Sequence, residues 1–198
     1  MTQQASNLRV RRTQKLLREA LVELIEERGF EALTVGELTA RALVSRAAFY
    51  RNYQDKYALV EQIFAEAMGA LLGAVGELGS EHPPEVLVVF FEHIAEYERL
   101  YRALLGKRGS PWFVRTLRTS LTELVNAGRH HHPPNGQRPT DPRAPSFADE
   151  LLPDLVAAML VEAITWWLEQ GRPYTPREMA TRCSLLMSAL FREVSGWQ

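Results

Sequence analysis

Hydrophobic residues recur at helical spacing along the first part of the chain. Over residues 9–29, leucine, isoleucine and alanine side chains return every three or four positions, which predicts an amphipathic helix that ends at Gly29. Two short helices are predicted next, the second running from Arg46 to about Tyr53. A longer helix is predicted from Lys56 to about Leu78, since its apolar positions continue without a linker.

Capping signals mark the starts of these helices. Thr34 and Glu37 have the spacing of a capping box, in which each side chain accepts a hydrogen bond from the other residue's backbone N–H. Ser45 and Asp55 are typical N-cap residues, and they precede the second short helix and the longer helix. The starts of all three helices are therefore specified by local sequence.

The rest of the chain shows helical periodicity as well. Predicted helices cover residues 85–105, 111–127, 147–170 and 176–194. Residues 128–146 contain five of the 11 prolines and no apolar periodicity, which predicts a mobile loop. No segment alternates with period two, so we predict an all-α fold.

The two short helices must be held by neighbouring structure, because isolated helices of fewer than about 12 residues are marginal in water. Packing them on the first helix gives a three-helix arrangement, the helix-turn-helix. We therefore predict a helix-turn-helix domain over residues 1–57 and a helical domain over residues 58–198. The residues expected to face inward are Leu33, Val35, Leu38, Ala42, Val44 and Phe49.

Composition narrows the class of protein. A chain of 198 residues that is 46% hydrophobic and 24% charged can bury an ordinary globular core. Its apolar runs are shorter than the roughly 20 residues that cross a bilayer, and its start lacks a secretory signal, so we expect a cytoplasmic protein without a membrane span. Cys183 is the one cysteine and is expected to pack in the core.

The net charge of −1 hides an uneven distribution. Residues 1–57 carry ten Lys and Arg against seven Asp and Glu, a balance of +3, which leaves −4 for the remainder. Such a basic excess supports a nucleic-acid partner but also occurs on ordinary solvated surfaces. Arg9, Arg11 and Arg12 can form a flexible arm along a DNA backbone or an ordinary solvated tail, and both interpretations remain open.

The predicted outward face of the second short helix carries DNA-binding chemistry. Ala47 and Ala48 are small enough for a close approach to base edges, and Arg46 and Arg51 can donate to guanine or phosphate. Hydroxyl groups and an ammonium near the helix starts are suited to phosphate contacts. The residues expected to position the backbone of a DNA duplex in this way are Thr34, Ser45, Tyr50, Tyr53 and Lys56.

Residues 10–60 resemble the tetracycline-repressor (TetR) family of regulators. The resemblance rests on Arg28-Gly29-Phe30, on the run from Thr34 to Ser45, and on the run from Phe49 to Lys56. Leu43 and Ala47 depart from the family pattern, since glycine is usual at both positions. Ala48 departs too, because threonine or serine is usual there. The resemblance implies a transcriptional regulator, most simply a repressor released by a small molecule.

The C-terminal part is similar to a subgroup of that family, through residues 92–106 and 164–171. The similarity implies a regulatory helical bundle whose last two helices pair with those of a second copy. The apolar stripe from Leu151 to Trp167 is wide enough to bury such a partner. Family members commonly bind a small molecule among central helices, and aromatic side chains there suit an apolar or aromatic effector. These candidates are Phe90, His93, Tyr97, Tyr101, Trp112, Phe113 and Trp166, although core packing explains each of them singly.

An enzyme and a protein-binding adaptor are the alternatives to a DNA-binding protein. An enzyme would need a nucleophile with its base, a metal set or a phosphate-binding glycine loop, and the sequence presents no such set. The histidines at positions 130–132 can ligate a metal, but the predicted loop gives them no fixed geometry, so neither a metal nor another cofactor is expected. A helical adaptor that binds only protein remains the alternative. A twofold dimer on a palindromic DNA site is the favoured hypothesis.

Overall fold

The computed structural model describes residues 2–73, 85–131 and 147–194. In these ranges the chain forms helices and no strand, which confirms the predicted all-α class. The helices are α1 (Thr2–Arg28), α2 (Val35–Arg41), α3 (Arg46–Tyr50), α4 (Lys56–Gly73), α5 (Glu85–Glu96), α6 (Glu98–Leu105), α7 (Pro111–His131), α8 (Phe147–Glu169) and α9 (Pro176–Val194).

The chain divides into two compact units. Of the described residues, the first unit comprises 2–65 and 99–111, and the second comprises 66–73, 85–98, 112–131 and 147–194. This division differs from the predicted boundary after residue 57, because α6 and the turn after it pack on the end of α1. The backbone N–H of Phe30 donates to the carbonyl of Arg108 at 3.2 Å, and Arg99 pairs with Glu26 at 3.0 Å.

A small apolar core organises the first unit. Gly29 ends α1 in a left-handed conformation with φ of 84°, as the sequence predicted, and Phe30 folds back into the core. The side chains that complete this core are Leu17, Leu21, Leu24, Ile25, Leu33, Leu38, Ala42, Phe49 and Leu59. Val35 and Val44, which were also predicted to face inward, are only half-buried.

The second unit is built from longer apolar helices. Helix α9 packs against both α5 and α8. The rings of Phe91 and Trp167 meet edge to face with centroids 5.4 Å apart, and the indole N–H donates to the carbonyl of Tyr174 at 2.8 Å. Cys183 lies in this core as predicted, and burial raises the pKa of its thiol to about 11.

Among the described residues, one helix is long and apolar enough to cross a membrane, judged by length and composition alone. Residues 151–169 of α8 have a mean hydropathy of 1.6, and half of that window is buried inside the fold. Core helices of globular proteins meet the same criterion, and Trp167 on this helix is fully buried against Phe91. The place of α8 in the core therefore explains the buried half of its apolar side chains.

The predicted single helix over residues 85–105 is wrong. The structure breaks it at Tyr97 into α5 and α6, although neither glycine nor proline stands there. The side chain of Arg172 lies at the break, where its Nε pairs with a carboxylate oxygen of Glu98 at 2.9 Å and its Nη1 reaches the carbonyl of Ala95 at 3.5 Å. A side chain that competes for helix carbonyls is a known cause of such interruptions.

Two other predicted boundaries also need correction. Helix α7 continues to His131, so residues 128–131 are helical rather than part of a loop, because the first proline comes only at position 133. The remainder of that predicted loop lies outside the described residues, as does the predicted end of the fourth helix near Leu78. Helix α1 begins at Thr2, so Arg9, Arg11 and Arg12 belong to a helix and not to a flexible arm.

Candidate nucleic-acid interface

Both short helices of the first unit are capped as their sequence predicted. The hydroxyl of Thr34 accepts a hydrogen bond from the N–H of Glu37 at 3.2 Å, and the carboxylate of Glu37 accepts one from the N–H of Thr34 at 3.0 Å. The hydroxyl of Ser45 accepts from the N–H of Ala48 at 3.1 Å. These bonds satisfy backbone donors that helices of seven and five residues would otherwise leave without partners.

The turn between α2 and α3 contains a strained leucine. Leu43 has a φ of 53°, in the left-handed region that favours glycine, and its side chain is 92% exposed. The N–H of Val44 donates to the carbonyl of Thr39 at 3.0 Å, which closes the turn. The departure from glycine seen in the sequence therefore leaves the turn geometry intact and places an apolar side chain on the surface.

Ion pairs hold α2 on α1. The guanidinium of Arg41 donates to both carboxylate oxygens of Glu27, at 2.8 and 2.9 Å, and to Glu23 at 3.1 Å. Arg28 pairs with Glu37 at 2.6 Å, so the capping residue of α2 also binds α1. Hydrogen bonding to Arg41 holds the pKa of Glu27 below its ordinary value, and hydrogen bonding to Thr34 does the same for Glu37.

The sequence alone does not identify these pairing residues as part of the site. Arg41 lies 14 and 18 positions from its two partners, and Arg28 lies nine positions from Glu37. Only pairs three or four positions apart on one helix can be recognised from spacing alone. No local signal was available for pairs between two helices.

Helix α3 presents a polar and cationic face. Arg46, Ala47, Tyr50 and Arg51 are exposed, whereas Ala48 is half-buried. Tyr50 keeps 57% of its surface exposed while its ring meets that of Phe49 edge to face. Arg46 and Tyr50 lie four positions apart, as do Ala47 and the C-cap residue Arg51, so the members of each pair are neighbours on the helix surface.

The guanidinium of Arg46 lies over the first turn of α2. A Cβ atom added at Gly36 would stand only 2.7 Å from its Nη2 atom. The absence of a side chain at Gly36 thus gives room for Arg46 to fold back toward Thr34. Thr34 and Ser45 are exposed at the same surface, with hydroxyls that already serve as caps.

Two predicted members of the face are not presented on it. Tyr53 is only 4% exposed and packs with its ring centroid 5.4 Å from that of Phe49, so its predicted outward position is wrong. Lys56 is 9% exposed, and its ammonium donates to three backbone carbonyls. Tyr53 thus faces inward through its contact with Phe49, and Lys56 through its hydrogen bonds to the turn before α2.

The aromatic candidates for an effector site divide between core and surface. Phe90, Tyr101 and Phe113 are no more than 1% exposed, and Trp166 is 43% exposed. His93 and Tyr97 are half-buried with ring centroids 4.5 Å apart, and Trp112 is half-buried as well. Tyr101 belongs to the first unit and the others to the second. Of the set, the structure brings His93 and Tyr97 into direct contact.

Apolar side chains also remain exposed on the last two helices. Leu151 and Leu155 lie on α8 with 36% and 48% of their surface exposed. Leu185 and Leu186 lie on α9 with 66% and 55% exposed. Large apolar side chains gathered on neighbouring elements are typical of surfaces that bind another protein.

Family comparisons match most of the chain. The family described as bacterial regulatory proteins of the tetR family matches residues 17–63. A family described as the C-terminal region of transcriptional regulators, TetR_C_8, matches residues 81–189. Together these matches cover the candidate interface and most of the helical residues of the second unit.

Two curated relatives come from Bacillus subtilis strain 168, and both are described as uncharacterized HTH-type transcriptional regulators. YxbF is 31% identical over 70 residues, which are 33% of this chain and 18% of that protein. YvkB is 33% identical over 57 residues, which are 29% of this chain and 30% of that protein. The matches thus span less than a third of either relative.

Solved structures share the fold over nearly the full length. A TetR transcriptional regulator from Streptococcus agalactiae 2603V has a TM-score of 0.58 at 19% identity, covering 93% of this chain and 98% of that one. The dihydroxyacetone kinase operon activator DhaS has a TM-score of 0.57 at 14% identity, covering 89% and 94%. Since one matching family model covers more than half of the chain, this protein belongs to the TetR family of bacterial regulatory proteins.

Proposed function

We propose that this protein regulates transcription by binding a palindromic DNA site as a homodimer, and that it is a repressor released by a small molecule. The observation that carries the proposal is the exposed surface formed by Arg46 and Tyr50 of α3 and by its C-cap residue Arg51. A short helix with exposed cationic side chains, held on a rigid support, suits the major groove of DNA. The rest of the fold supplies that support through caps and ion pairs.

The residues at the α3 surface have three different proposed roles on DNA. Arg46 and Arg51 donate to base edges or phosphates, and Ala47 and Ala48 permit the close approach of the helix. Tyr50 positions the backbone through its hydroxyl. Thr34 and Ser45 lie beside this face, and their proposed contacts are secondary because their hydroxyls already cap helices.

The exposed leucines of α8 and α9 support the proposed dimer. A second copy placed by a twofold axis would bury the same leucines on both protomers. The two reading helices of such a dimer must then stand about 34 Å apart to enter successive major grooves of one duplex. An effector that favours another spacing would release the DNA.

The proposed effector site lies in the second unit, near the half-buried pair His93 and Tyr97. Half-buried aromatic rings combine an apolar surface with polar atoms, which suits a small apolar or aromatic molecule. Repression, as opposed to activation, is itself proposed here, because the fold does not determine it. DhaS, which shares the fold, is named an operon activator. We expect the protein to act in the cytoplasm, where its DNA is.

A fluorescence-anisotropy titration tests DNA binding. The labelled duplex is the DNA upstream of the protein's own gene, and the titration is repeated at several salt concentrations. We expect the logarithm of affinity to fall linearly with the logarithm of salt concentration, by about 0.9 for each phosphate neutralised. Affinity that is absent or insensitive to salt would support a protein-binding adaptor instead.

Variants locate the surface that binds. Arg51→Gln should weaken binding and flatten the salt dependence, and Tyr50→Ala should weaken binding to all sequences alike. Arg118→Gln is the matched control, since it removes the same charge from an exposed position on α7. Equal affinities for all three variants and the wild type would show that α3 is not the reading helix.

A further inference from the structure

We infer that Lys56 is a positioning residue, which fixes the reading helix α3 by tying the start of α4 to the turn before α2, and that it does not contact a DNA phosphate. The inference rests on the proposed function, since DNA binding is the activity that this positioning would serve. It changes the role that the sequence predicted for the same residue.

The hydrogen bonds of Lys56 account for its full donor capacity. Its Nζ donates to the carbonyl oxygens of Phe30 at 2.8 Å, Glu31 at 2.9 Å and Leu33 at 3.0 Å. A lysine ammonium has three N–H donors and no acceptor. A phosphate oxygen would therefore have to replace one of these carbonyls.

The surroundings of the ammonium also separate it from a duplex. Lys56 is 9% exposed, and its Nζ lies 4.8 Å from the ring centroid of Phe30 and 5.3 Å from that of Tyr57. Both rings can attract the cation through their faces. Burial lowers the pKa of Lys56, an effect that the nearby carboxylates of Glu31 and Asp55 oppose.

Lys56 lies at an electrostatically unfavourable position in its helix. Lys56 is the first residue of α4, and a cation at a helix N-terminus is opposed by the helix dipole. The carbonyls of the turn before α2 offset that cost. The ammonium of Lys56 therefore stabilises the turn before α2 and does not stabilise α4.

The contacts of Lys56 join the two ends of the helix-turn-helix. The three carbonyls lie 26, 25 and 23 positions before it, immediately ahead of the N-cap residue Thr34. Helices α2 and α3 lie between these ends, so the ammonium closes them into one loop. Fixing both ends of a loop restricts the orientations of everything inside it, including α3.

Two substitutions at this position separate positioning from phosphate contact. Lys56→Met keeps the length of the side chain and removes the donors. Lys56→Arg keeps the positive charge, but its planar guanidinium cannot aim three donors at carbonyls arranged around an ammonium. Lys107→Met is the matched control, because it removes a lysine charge from an exposed position in the same unit.

The full-length variants are titrated with the same duplex at several salt concentrations, at a temperature where circular dichroism shows each to be folded. We expect both Lys56 variants to lose affinity by a similar factor, on the order of tenfold, while the salt slope stays at the wild-type value. The control should bind as the wild type does. This combination indicates a displaced reading helix with all phosphate contacts retained.

Three outcomes would overturn the inference. Wild-type affinity in Lys56→Arg, together with a salt slope about 0.9 shallower in Lys56→Met, would identify a phosphate contact. Wild-type affinity in both variants with a lower melting temperature would mean that Lys56 only stabilises the fold. Absence of DNA binding by the wild type would instead remove the proposed function, and the positioning role with it.

Discussion

The helix-turn-helix and the last two helices are stabilised by different kinds of contact. Helices α2 and α3 are short, and caps and ion pairs with α1 hold them while α3 shows cationic side chains to solvent. Helices α8 and α9 are long and packed through apolar side chains, yet they leave four large leucines exposed. The first surface is chemically suited to a polyanion, and the second is suited to a protein.

The difference shows that exposure carries different information in the two regions. Exposed charge on α3 is useful because the polar network beneath it, such as the Arg41 pairs with Glu27, fixes its support. Exposed leucine on α9 is costly unless something covers it, since burying apolar surface contributes about 25 cal/mol per Å².

The largest expected effect concerns the leucines of α9. Replacing Leu185 and Leu186 together with lysine should weaken self-association by about 100-fold or more, because each buried leucine contributes roughly 1.5–3 kcal/mol. Sedimentation velocity over a range of protein concentrations measures the change. Val89→Lys is the control, since it places a charge on an apolar side chain that is 41% exposed on α5. Unchanged association of the double variant would refute the proposed dimer surface.

The next effect compares two aromatic residues, one in each region. Phe91→Ala should lower the free energy of unfolding by about 3–5 kcal/mol, because it leaves a cavity beside Trp167. Tyr50→Ala should change it by no more than about 0.5 kcal/mol, since that ring is largely in solvent. Urea denaturation followed by circular dichroism checks both values. Equal decreases in the free energy of unfolding for the two variants would contradict the difference between a buried Phe91 and an exposed Tyr50.

A smaller gain in stability is expected in the turn of the helix-turn-helix. Leu43→Gly should raise the free energy of unfolding by about 1 kcal/mol, because glycine adopts the left-handed conformation without the steric cost that leucine bears. Leu43→Ala is the control, since it keeps a Cβ atom and should bring no such gain. Thermal denaturation of both variants tests the prediction, and a decrease in melting temperature for Leu43→Gly would contradict it.

The smallest effect concerns the ion pairs between α1 and α2. Hydrogen bonding to Arg41 holds the pKa of Glu27 below its ordinary value near 4.5, so the folded state binds this proton less tightly than the unfolded state does. The stabilisation is therefore present above that ordinary value and is lost as the pH falls through the lowered one. Because the pair is solvent-exposed, we expect only a slight effect.

Acid denaturation measures that last effect. Glu27→Gln should be slightly less stable than the wild type at pH 7, and its stability should fall less steeply below pH 4.5. Glu61→Gln, at an exposed position on α4, serves as the control and should retain the wild-type slope. Parallel curves for Glu27→Gln and the wild type would mean that the pair with Arg41 does not form in solution.

Sequence alone predicted most of the helices and much of the candidate interface. The capping box at Thr34 and the caps at Ser45 and Asp55 form as expected, because an N-cap and its partner lie three positions apart. Gly29 likewise ends α1 by its own conformational freedom. The exposed positions of Arg46 and Arg51 followed from helical periodicity and needed no knowledge of distant contacts.

What the sequence could not supply depends on residues that are far apart along the chain. The inward position of Lys56 results from hydrogen bonds between the start of α4 and a turn more than 20 residues earlier. The break at Tyr97 coincides with contacts from Arg172, which lies 77 positions beyond Ala95. Periodicity and capping act within one or two helical turns, so they determined where this chain is helical. Only the tertiary structure decided which polar side chains are buried in contacts within the protein and which stay exposed to solvent.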